Sequence, residues 1–280
     1  VSLWRDRALA VGRDECMALS DLLSNATKMK QLDIRCAAGL ESEGLKFLAD
    51  GLACNASLTD GVLDLSDNHI CNEGLQALAS SLASNTKLRK LMLSNNNIGD
   101  SGLEALADSL AQNKALRVLS IERNTAITVT GVGSMSRILQ SSGLEHLYIG
   151  GINISNEGGN ILADALSVNK SLVSLSLTCR QMNMSISDDG LSSLALGLSR
   201  NSHLKTLDLS GNTAITASGL RSLKEYFRSP SCALKNLTLD GINIGDECAH
   251  ALADALGRNK SLKSLYFRGR GVTLKGWESF

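Results

Sequence analysis

The chain is poor in the residues that divide or reinforce most folds. One proline, Pro230, stands among 280 residues, so no proline-rich linker separates domains. Aromatics make up 3 % of the sequence, and the core must therefore be filled by Leu and Ala, as suits a stack of similar slots. No apolar run approaches the ~18 residues that would suggest a membrane span. Basic and acidic residues balance at 28 each, and no basic stripe is visible along the chain, which argues against a nucleic-acid partner. The seven cysteines, odd in number, form no C-x-x-C pair. They read as reduced, small core residues of an intracellular, cytoplasmic protein. An organellar destination reached after loss of a targeting segment stays open.

Catalytic patterns are missing too. His69, His146, His203 and His250 are isolated, and no H-E-x-x-H, G-x-S-x-G or phosphate-loop motif occurs. The expectation is no catalytic residue, no cofactor and no metal. Asp188 and Asp189 precede Gly190 and read as negative charge at a helix N-terminus, where the helix dipole favours it.

What is present is repetition. Leu91, Leu93, Asn96 and Ile98 form L-x-L-x-x-N-x-I, followed by Gly102, Leu103, Leu106, Ala107, Leu110 and Asn113. The first half alternates with strand period and the second carries one apolar helix face. The unit recurs every 28 to 32 residues along nearly the whole chain, which is the signature of a solenoid. Strand cores are expected at 32–34, 63–65, 91–93, 119–121, 147–149, 175–177, 207–209, 237–239 and 265–267. Helices are expected near 14–24, 43–54, 73–84, 101–112, 131–141, 157–168, 189–200, 218–228 and 246–257. Parallel strands stack more closely than helices pack, so the strands should line a concave face and the helices a convex one.

A longer period lies within the short one. NTAIT at 124 and 212 is repeated 88 residues apart, and GINI at 151 and 241, ADAL at 163 and 253, and NKSL at 169 and 259 are each repeated 90 apart. Three cassettes of three repeats are expected in a single domain over residues 1–280. Both ends look cut, with Trp4 and Trp277 as candidate end covers.

These runs, above all GLEALADSLAQNKALRVL and EGLQALASSLASNTKLRKL, resemble the leucine-rich repeat superfamily in its ribonuclease-inhibitor-like form. The resemblance implies an α/β horseshoe and a protein-binding role. It extends to sensor ends of nucleotide-binding innate-immune receptors, GTPase-activating proteins and flagellar subunits. The chain departs from the pattern where Ile152, Arg180, Ile242 and Arg270 stand in place of the ladder Asn.

The outward strand positions would make the contact surface. They run Asp33, Asp64, Met92, Ser120, Tyr148, Ser176, Asp208, Thr238 and Tyr266. Binding energy concentrates in Tyr, Trp and Arg anchors. The candidate partner-binding residues are therefore Met92, Arg123, His146 and Tyr148 in the centre, and Tyr266, Arg268 and Arg270 near the end. The stretch 180–189 is longer than its counterparts, and such insertions map to one edge, often a binding edge. The expected function is a non-catalytic scaffold for other proteins. A structural subunit of a flagellar or organellar assembly, and a GTPase-activating or immune-receptor-type sensor module, are the alternatives.

Overall fold

The structure, a computed structural model, describes residues 13–35, 40, 42–55, 58, 61–179, 186–268 and 271–280. The chain falls into two compact units, Val1–Tyr148 and Ile149–Phe280. In the first, α1 (Arg13–Asn25), β1 (Gln31–Asp33), α2 (Ser42–Cys54), β2 (Gly61–Asp64), α3 (Asn72–Leu82), β3 (Leu88–Met92), α4 (Asp100–Gln112), β4 (Val118–Ser120), α5 (Val129–Ser141) and β5 (His146–Tyr148) alternate strictly. The second contains α6 (Ser155–Val168), β6 (Ser174–Ser176), α7 (Asp188–Leu198), β7 (Thr206–Asp208), α8 (Ala217–Arg228), β8 (Asn236–Thr238), α9 (Asp246–Leu256), β9 (Ser264–Tyr266) and α10 (Leu274–Trp277). Within each unit consecutive strands pair in parallel and in sequence order.

One repeat shows why the sequence folds this way. In α4 the residues Leu103, Leu106, Ala107 and Leu110 are buried, while Glu104 and Asp108 stay out. Gly102 and Ser109 are buried on the same face, where small residues let neighbouring helices approach. Leu91 and Leu93 are fully buried and Met92 between them is not, as strand alternation requires.

Every strand begins one to three residues before its expected core and ends one residue short of it. After β2, β3, β4 and β7 an asparagine accounts for the early end. Leu65 still donates its N–H to Met92 O (2.9 Å), but its carbonyl accepts from the Nδ2 of Asn68 (2.8 Å) and of Asn96 (3.0 Å). The side chain thus takes over from the strand partner and the backbone can leave the ladder. Asn96 Oδ1 in turn accepts from Ile70 N, and Asn124 Oδ1 from Ile98 N, each at 3.1 Å. Asn212 does the same for Ile186. Each of these side chains reaches back to the preceding repeat.

A second asparagine series closes the helices. Asn113 donates to Leu82 O and Asn85 O of the repeat before and accepts from Ala115 N and Leu116 N. Asn85 and Asn201 make equivalent bonds. A third series points forward. Asn72, first in α3, accepts from Gly99 N and Gly102 N at the start of α4. Asp100, first in α4, accepts from Thr128 N and Thr128 Oγ1 before α5. Asp188 and Asp246 take up Thr216 and Thr273 in the same way. Asp188 and Asp189 lie in the first turn of α7, as expected, and the Asp188 carboxylate in addition serves the start of the next helix, α8, through direct hydrogen bonds.

Trp277 stacks with Phe267, just past β9, at 5.7 Å and lies near Phe280, whereas Trp4 lies outside the described residues. Cys16, Cys54, Cys71, Cys179, Cys232 and Cys248 are all free thiols.

Candidate protein-interaction face

Parallel pairing in strict order brings one residue from each strand into line. In the first unit Asp33, Asp64, Met92, Ser120 and Tyr148 are mutual register partners across β1 to β5. Two residues earlier, Gln31, Val62, Lys90, Val118 and His146 form a parallel row. Met92, His146 and Tyr148 thus share the outward face, and all three are half-buried. Arg123 does not join them. It sits just past β4 with φ 57°, the left-handed turn position also held by Asp67 (φ 59°) and Asn95 (φ 55°). That position follows the last outward residue, so its side chain belongs to the turn edge rather than to the strand row. In the second unit glycine holds the equivalent place: Gly151, Gly211 and Gly241 all have positive φ. A side chain at Gly211 would also collide with Cys179 O, so glycine is needed there on two counts.

The start of the face is internally neutralised. Arg35 forks onto Asp33 with bonds of 3.0 and 2.8 Å and lies 3.4 Å from Asp64. The Asp33 side chain is only 5 % exposed, and the Arg35 guanidinium bonded to it holds its carboxyl below the usual carboxylate range. Such a depressed group stabilises the fold above its unfolded pKa of ~3.9 and ceases to do so as pH falls through its folded value. Arg35→Ala should therefore cost about 2 kcal/mol at neutral pH, because it leaves a buried carboxylate unpaired. Urea unfolding of variant and wild type should converge in acid, once the pH has fallen through the lowered folded-state pKa of Asp33 and the carboxyl has taken up a proton. A gap that persists in acid would assign Arg35 to packing instead.

In the second unit Ser176, Asp208, Thr238 and Tyr266 are aligned across β6 to β9. Beside them lies a depression of about 370 Å³ lined by Thr178, Asp208, Ser210, Asp240 and Arg268, with Gly211 and Gly241 beneath. Asp208 accepts from both the amide and the hydroxyl of Ser210, and Arg268 approaches Asp240 at 3.8 Å. Tyr266 is 57 % exposed at the end of β9, and Arg268 lies two residues further on, past the strand. Arg270 and residues 180–185 of the 180–189 stretch lie outside the described residues. The polar depression was not expected as a unit. Of its residues only Asp208 and Arg268 stood out in the sequence, and the convergence of the set depends on the turns after β6 to β8.

A leucine-rich repeat family model matches residues 62–79, 84–107 and 200–224, which fall on β2 with α3, β3 with α4, and β7 with α8. The chain is a leucine-rich repeat protein of the ribonuclease-inhibitor-like type. This leucine-rich repeat chain is 33 % identical over 206 residues to human NACHT, LRR and PYD domains-containing protein 5, covering 72 % of itself and 14 % of that protein. It is 27 % identical over 255 residues to mouse NACHT, LRR and PYD domains-containing protein 14, covering 90 % of itself and 22 % of the relative. Pig ribonuclease inhibitor matches at 26 % over 256 residues, 89 % of this chain and 54 % of the inhibitor. The chain thus spans less than two thirds of each relative. Leucine-rich repeats generally mediate protein–protein interaction. Among the described residues no helix is long and apolar enough to cross a membrane, and no three His, Cys, Asp or Glu side chains gather as metal ligands would.

Proposed function

We propose that this chain is a non-catalytic module that binds other proteins through its outward strand face. The observation that carries the reading is the alignment of Met92, Ser120 and Tyr148 in one register row beside His146, a half-buried surface with a Tyr at its end. Aromatic side chains of this kind supply most interface energy when a partner covers them. In the second unit Tyr266 and Arg268 are the equivalent anchors.

The test is cross-linking in the native full-length protein. A photo-reactive residue at position 92, 148 or 266 should capture one partner, whereas the same probe at Arg137 or Lys224 on exposed helix surfaces should not. Tyr148→Ala or Tyr266→Ala should weaken that partner's binding about 30-fold, the size of an interface hot spot. Capture from the helix positions alone would reject the strand face.

Similarity to proteins named for NACHT, LRR and PYD domains supports a second, compatible reading, in which this chain is the repeat portion of a multidomain sensor. Cross-links from it to a NACHT-type domain on the same polypeptide would support that reading. Links to many subunits of one assembly would instead indicate a structural component.

A further inference from the structure

The balanced net charge conceals a segregation that only the fold produces. In the second unit the chain passes from helix to strand through residues 169–173, 199–205, 229–235 and 257–263. None of these four loops contains Asp or Glu, yet each has at least one Lys or Arg. Their backbones are joined in series. Lys205 N donates to Val173 O, Lys235 N to Lys205 O and Lys263 N to Lys235 O, each at 2.8 Å. Three lysines therefore occupy consecutive positions about 4.8 Å apart at the entrances to β7, β8 and β9. Like charges placed directly opposite one another across strands are destabilising.

The first unit solves the same problem differently. Its corresponding positions are Arg89, Arg117 and Glu145, linked by the same backbone bonds, and Glu145 pairs with Arg117 at 3.2 Å. Two helix-borne cations of the second unit are neutralised: Arg221 pairs with Glu247 at 3.0 Å and Lys224 with Asp254 at 2.7 Å. Among the described residues the edge lysines form no such ion pair. Compensation of helix dipoles does not account for them, because Lys205, Lys235 and Lys263 lie well past the ends of α7, α8 and α9, and that effect falls off beyond the last turn. Beside the lysine series a depression of about 430 Å³ is lined by Lys170, Arg200, Ser167, Ser202 and His203.

We propose that this helix-to-strand edge of the second unit docks an acidic segment of a partner protein. Clustered, unpaired cations are matched by carboxylates, and such complementarity governs partner choice and association rate. The four loops hold no Phe, Tyr or Trp on which bases could stack, and the chain lacks the basic excess usual in nucleic-acid binders, so a protein is the better fit. The edge is separate from the strand face, and its test does not depend on the function proposed above.

The experiment measures fluorescence anisotropy of labelled polyglutamate long enough to cross the four loops, alongside an oligothymidylate of equal length. Polyglutamate should bind, more weakly as ionic strength rises. Lys205→Glu with Lys263→Glu should weaken it about tenfold or more, whereas Arg137→Glu with Arg221→Glu, an identical charge change on helices, should weaken it less than about threefold. Tyr266→Ala should leave it unchanged. If the glutamate pair fails to fold by thermal melt, Lys205→Gln with Lys263→Gln reads the same effect at smaller amplitude. Absence of polyglutamate binding, or equal loss in both charge-reversed pairs, overturns the proposal. Tighter binding of oligothymidylate, abolished by the edge variant, overturns it in favour of a nucleic acid.

Discussion

Leu91→Asp should unfold at least the repeats around β3, seen as loss of helical circular dichroism, whereas Met92→Asp should leave the fold intact. Leu91 is fully buried between β2 and β4, and its neighbour faces outward. Truncating a buried Leu costs about 2–5 kcal/mol, and an unpaired carboxylate in the same slot adds a further desolvation penalty. The sum rivals the whole stability of a typical domain, ~5–15 kcal/mol. Met92→Asp places its charge at a half-buried outward position opposite Asp64, a cost of about 1 kcal/mol. Equal damage from the two substitutions would mean that the strand register is inverted, and the interaction face with it.

Asn124→Ala should destabilise the first unit by about 3 kcal/mol, with the urea midpoint falling accordingly. Asn124 is fully buried, donates to Leu93 O at 3.0 Å and Ile121 O at 2.9 Å, and accepts from Ile98 N. Alanine would leave those backbone groups without partners in a place water cannot easily reach. Asn97→Ala is the control. That residue is exposed, and substitution there should change stability by no more than about 0.5 kcal/mol. Equal shifts in the two variants would show that the buried amide contributes no more than a surface asparagine.

The repeating core could be read from the chain because both periodicities act over a few residues. The alternation of Leu91 and Leu93, and the helix face of Leu103, Leu106 and Leu110, need no distant information. Helix bounds accordingly agree to within about two residues, the usual uncertainty of helix ends. After β2, β3, β4 and β7 the strand ends shifted because carbonyls there are claimed by asparagine side chains, as Leu65 O is by Asn68 and Asn96. The site was legible in the same partial way. His146 and Tyr148 share a face by simple alternation, but Arg123 was placed with them although it occupies a left-handed turn, a backbone state that residue type alone does not announce. The lysine edge was hidden for a different reason. Lys205, Lys235 and Lys263 are 28 to 30 residues apart in the sequence, and only the stacking of strands makes them neighbours.

The side-chain bonds between repeats also have a direction. Asn96 and Asn124 reach backward to the strand and turn before them, whereas Asn72 and Asp100 reach forward to the helix after them. If the stack unzips from its later end, the backward-reaching amides leave first and strand the amides of Ile70 and Ile98. If it unzips from its earlier end, the forward-reaching groups leave first and uncap α4 and α5. Neither terminus of such an array offers a cheap place to begin, so the interlock favours loss of several repeats as a block over erosion one at a time.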